Sequence, residues 1–92
     1  MAITVHLSGH LKPFTGGAVE VILDGEFATV NDVLDSLWKL HIALRDRVLD
    51  EQGEIRQHVN IFVGSDDVKR TMGLTTSLKS DEIHIFNAVS GG

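Results

Sequence analysis

The chain has 92 residues, 42% hydrophobic and 23% charged, which is enough for one small globular domain with one core and too little for a deep catalytic pocket. Its net charge of −5 and eight scattered basic residues, of which only Lys69-Arg70 are adjacent, argue against nucleic acid as a partner. No run approaches the ~20 apolar residues of a membrane helix, the start Met1-Ala2-Ile3-Thr4 is not signal-like, and cysteine is absent.

Residues Ile3 to Leu7 alternate apolar and polar, the period of a half-buried strand. Ser8 to Gly17, with Pro13 and Gly16-Gly17, reads as a loop, and Val19 to Leu23 as a second strand closed by Asp24-Gly25. The two strands form an antiparallel hairpin. The period then changes. Thr29 with Asp32 is a helix N-cap signal, and Val30, Val33, Leu34, Leu37 and Leu40 follow at spacings of three and four. Trp38 flanks this stripe, and Asp35 with Lys39 is spaced as an i,i+4 ion pair.

Ile42 to Val48 is expected to add a short helical turn, and Asp50 to Gly53 a polar loop. His58 to Val63 reads as the third strand, Asp67-Val68 as a very short fourth, and Glu82 to Phe86 as the last. Between them Thr71 to Ser80 is irregular, with Leu74 and Leu78 pointing inward. A hairpin, a helix and then further strands predict an α+β domain with the helix on one sheet face. The first and last strands would pair in parallel at the centre, the β-grasp arrangement. The expected domain spans 1–87, with 88–92 as a flexible tail.

Few residues offer chemistry. There is no Gly-rich loop followed by Lys-Ser/Thr, so no bound cofactor is expected and ATP would have to be handled by a partner. His6, His10, His41, His58 and His84 have no metal-ligand spacing, and Asp66-Asp67 and Asp81-Glu82 read as solvated turn carboxylates, so no metal site is expected. The terminal pair Gly91-Gly92 differs. Two residues without Cβ make a strip thin enough for a narrow enzyme cleft, ending in an unhindered carboxylate. Such a carboxylate is ionised at neutral pH and must be activated before a nucleophile can attack it. If Val59, Ile61, Val63, Ile83 and Ile85 face the helix, then Asn60, Phe62, His84 and Phe86 face outward. Phe62, His84 and Phe86 are therefore the expected docking handle for a partner enzyme, the alternative being isolated exposed aromatics.

Val59 to Val63, Asp67-Val68 to Gly73-Leu74, Asp81-Glu82-Ile83, Leu44 to Arg47 and Ala88 to Gly92 together resemble the ThiS/MoaD-like sulfur carriers, ubiquitin-like β-grasp proteins. Within that family the resemblance is greatest to the carrier of a cysteine-synthesis pathway, then to the small subunit of molybdopterin synthase. Gly64-Ser65-Asp66, Ser80 and Asn87 depart from turn residues common in the family. With no signal-like start and no membrane run a cytoplasmic address is expected, and the resemblance implies a carrier and not an enzyme. A ubiquitin-activating-type adenylyltransferase/sulfurtransferase would use ATP on the Gly92 carboxyl, and a sulfur-accepting synthase would take sulfur from the thiocarboxylate. Cysteine, molybdopterin, thiamine and tRNA thiolation are all open destinations. The alternatives are a ubiquitin-like modifier joined to lysines through Gly92, and a plain interaction domain.

Overall fold

In the computed structural model, which describes residues 1–87, strands β1 (Ala2–Leu7) and β2 (Glu20–Asp24) form the antiparallel hairpin. Helices α1 (Val30–Leu40) and α2 (Ile42–Val48) follow, then strands β3 (Val59–Val63), β4 (Asp66–Asp67) and β5 (Glu82–Asn87). The sheet order is β2-β1-β5-β3-β4. β5 lies in the middle, parallel to β1 and antiparallel to β3. This is the β-grasp that the order of elements predicts. Among the described residues no helix is long and apolar enough to cross a membrane.

The start of α1 is fixed by a reciprocal cap. Thr29 Oγ1 accepts from the Asp32 N–H at 3.4 Å, and Asp32 Oδ2 accepts from the Thr29 and Ala28 N–H groups at 3.1 and 2.9 Å. These donors, Ala28 first and then Thr29, hold the Asp32 carboxyl below its ordinary pKa of 3.8. Helix α1 buries Val30, Val33, Leu34, Leu37 and Trp38 against the sheet. Each fully buried Leu or Val side chain is worth about 1.5–3 kcal/mol over an exposed one.

Two expectations about this helix need correction. Leu40 is 61% exposed and does not join the buried stripe. At ~100° per residue, Leu40 and Trp38 lie roughly 80° to either side of the stripe's centre. The indole at Trp38 is large enough to reach back to the core. Leu40 is the last residue of α1, where the chain turns through His41 into α2. Asp35 and Lys39 are likewise not joined within ion-pair distance; the pairs of permanently charged groups among the described residues are Met1–Asp24 and Arg45–Asp46.

Helix α2 closes the core with Leu44 and Val48. The segment read as a loop after β1 contains a 3-10 helix, Gly9–Phe14, that buries Leu11. Arg47 of α2 lies over the Phe14 ring, 4.3 Å from its centroid, and ties this segment to the helices. The short fourth strand is Asp66–Asp67, one residue earlier than expected, and Val68 begins a 3-10 turn. Asp66 and Asp67 are thus strand residues, and Asp67 also caps that turn by accepting from the Lys69 N–H at 3.0 Å. Leu74 and Leu78 pack, partly buried, against the core as anticipated.

Gly64 turns the chain between β3 and β4 at φ +59°, a conformation natural to glycine. A Cβ there would also meet the Ser80 Cβ at 3.1 Å. Its N–H donates to the Glu82 carbonyl at 2.8 Å, so this turn holds the beginning of β5 in place.

Candidate functional site

Strand alternation divides the sheet into two unlike faces. Ile3, Val5, Leu7, Val21, Leu23, Val59, Ile61, Val63, Ile83 and Ile85 are buried under the helices. The intervening residues of the central strands point away from the core, and no element among the described residues lies over them.

The register arranges those outward residues in rows. Glu20, His6, His84, Phe62 and Asp67 are successive partners across the five strands. Asn60 pairs with Phe86 in the next position of β3 and β5. Phe62 and Phe86 are diagonal neighbours, and their rings stack at a centroid distance of 5.5 Å and an interplanar angle of 28°. The sheet therefore brings together all three residues expected to form the docking handle. Phe62 and His84 are half-buried and Phe86 is 36% exposed.

This face leads to the carboxyl end of β5. Asn87 pairs with Val59, and the Ser8 N–H donates to the Ile85 carbonyl at 3.0 Å. A shallow groove beside this exit is lined by His6, Leu7, Ser8, His84, Ile85 and Phe86. Ser8 Oγ and Asn87 Oδ1 are buried there with no hydrogen-bond partner among the described residues. Gly91 and Gly92, the expected activated terminus, lie outside the described residues.

One grouping escapes the sequence reading. Glu82 is not a turn carboxylate: it opens β5, and its Oε1 lies 2.9 Å from His6 Nε2. The His6 and His84 rings stack at 4.5 Å and 12°. His6 and Glu82 are 76 positions apart, so no linear spacing signals their meeting. The available signal was outward alternation on β1 and β5, which becomes informative only once the parallel register is known.

The ThiS family model matches residues 5–92 of the chain. The chain belongs to the ThiS family. It is 33% identical over 95 aligned residues to the sulfur carrier protein CysO of Mycobacterium tuberculosis, covering 100% of both chains. It is 39% identical over 74 residues to the small archaeal modifier protein 1 of Haloferax volcanii, covering 80% of each. Among solved structures, the Amycolatopsis orientalis BexX/CysO complex contains a chain that superposes with a TM-score of 0.83. That match has 28% sequence identity and covers 98% of this chain and 99% of the other. The fold is thus the ubiquitin-like β-grasp of a sulfur carrier family.

Proposed function

We propose that this chain is a sulfur carrier whose cargo rides on the C-terminal carboxyl of Gly92. A ubiquitin-activating-type enzyme attacks the α-phosphate of ATP with that carboxylate, releasing pyrophosphate and leaving an acyl-adenylate. Hydrosulfide supplied by a sulfur source then attacks the acyl carbon, AMP departs with the bonding pair, and a thiocarboxylate remains. At a sulfur-accepting synthase the thiocarboxylate sulfur attacks the acceptor, and water hydrolyses the resulting thioester, leaving the sulfur on the acceptor and returning the carboxylate. The chain is a co-substrate in this scheme and not a catalyst.

The observation that carries this reading is a family match running through Gly92 in a chain with no cysteine. Without a thiol side chain, sulfur must be held elsewhere, and the terminal carboxyl can exchange an oxygen for it once activated. The open sheet face supplies the second requirement, a surface by which partner enzymes recognise the carrier. Stacked Phe62 and Phe86, with His84 beside them, provide an apolar, aromatic centre with a polar neighbour, as interface cores do. The relative captured in the BexX/CysO complex supports docking onto a protein partner.

The test is incubation with the cognate activating enzyme, ATP and a sulfur source, followed by intact-mass measurement. Replacement of one oxygen by sulfur at the terminus is expected, and its loss on deleting Gly92. A second reading, conjugation of Gly92 to lysines of target proteins, is favoured by the identity to a small archaeal modifier protein. It predicts conjugates in cell extract that vanish when Gly91-Gly92 are removed.

A further inference from the structure

We infer that His6, Glu82 and His84 form a binding site for a divalent zinc ion on the open face of the sheet. The three residues come from the two central parallel strands. His6 of β1 is the register partner of His84, and Glu82 lies two residues before His84, so alternation places all three on one face. One ligand atom from each lies within 4.8 Å of the other two. Two imidazoles and a carboxylate are the donor set that suits zinc.

The distances fit with little rearrangement. Ligands bonded to zinc at about 2.0–2.1 Å in a tetrahedron are roughly 3.3 Å apart. His6 Nε2 and Glu82 Oε1 already stand 2.9 Å from each other, the longest separation needs to close by about 1.5 Å at most, and side-chain torsions supply that. Freedom to rotate is present, because the His6 and Glu82 side chains are 32% and 53% exposed. The parallel stack of the imidazoles keeps both rings together above the sheet, where their nitrogens can turn toward one point. Backbone hydrogen bonds of β1 and β5 fix the Cα positions from which the ligands project, so the ordering cost falls on side chains alone. Three protein ligands leave the remaining coordination to water, or to a donor brought by whatever docks beside Phe62 and Phe86.

The test uses the untagged full-length protein titrated with zinc chloride in a calorimeter, alongside long-range proton–nitrogen NMR of the histidine rings. One equivalent is expected to bind with micromolar affinity, and the ring signals of His6 and His84 to shift while that of His41, on the helical side, stays. His6→Gln and His84→Gln should each weaken binding by about tenfold or more. The ring signals of the unaltered protein decide the matter even if a variant folds poorly. Absence of binding up to millimolar zinc, or binding that leaves the His6 and His84 ring signals in place, would overturn the assignment. In that case His6 and Glu82 form an ordinary surface hydrogen bond.

Discussion

The two faces of one sheet are made by alternate residues of the same strands, yet they follow opposite rules. The covered face is wholly aliphatic: Ile3, Val5, Ile61 and Ile83 have no measurable exposure and Ile85 is 1% exposed. On the central strands the open face mixes rings, a hydroxyl, an amide and a carboxylate, in Thr4, His6, Asn60, Phe62, Glu82, His84 and Phe86. Packing energy explains the first set fully and the second only in part. A row of stacked imidazoles and stacked phenyl rings left half in water stabilises the fold little, and it suits recognition of another surface. Neighbours in sequence should therefore separate into stability and function when altered.

The largest expected effect is on the covered face. Ile61→Ala should lower unfolding free energy by about 2–5 kcal/mol, read by denaturant titration, because the site is closed by helix and strands. Its neighbour Phe62→Ala should cost less, about 1–2 kcal/mol, because Phe62 is only half-buried and loses part of its apolar contact area and its stacked partner. Comparable losses at both positions would break the contrast between faces. Next, Phe62→Ala and Phe86→Ala should each weaken binding to the activating enzyme by about tenfold, measured by calorimetry on folded variants. Affinity unchanged in both would remove the open face from docking.

A smaller effect tests what positions the covering helix. Thr29→Ala should cost about 1 kcal/mol by removing half of the reciprocal cap at α1, without altering partner affinity. The smallest is a pH effect. Because the folded protein holds the Asp32 carboxyl below 3.8, its stabilising contribution is complete above that value. It is lost as pH falls through the lowered folded value, when the proton displaces the hydrogen bonds from Ala28 and Thr29. Asp32→Asn should flatten the pH dependence of the denaturation midpoint below about pH 4, and an unchanged slope would show that the cap carries no such linkage.

Much of this division was legible in the sequence. Alternation gave β1, β3 and β5 with their inward residues, and the three-four spacing with Thr29 and Asp32 gave α1 to its observed ends. Phe62, His84 and Phe86 followed from the same alternation. Leu40 was misread because periodicity cannot tell that the chain turns away after it. Asp35 and Lys39 have the sequence spacing of a helical pair, but two exposed side chains have little to gain from closing it. The His6, Glu82 and His84 cluster was hidden for a different reason. It depends on which residue of β1 stands beside which residue of β5, a register fixed by tertiary pairing and by the Gly64 turn that seats Glu82.

The proposal that unites these observations is that partner enzymes dock on the open face and load sulfur onto the Gly92 carboxyl. Intact-mass analysis after reaction with the activating enzyme, ATP and a sulfur source tests it most directly. The account predicts that one terminal oxygen of Gly92 is replaced by sulfur, and that Phe62→Ala and Phe86→Ala slow the conversion while Thr29→Ala does not. A carboxylate that stays unmodified with an enzyme active on another carrier would contradict it.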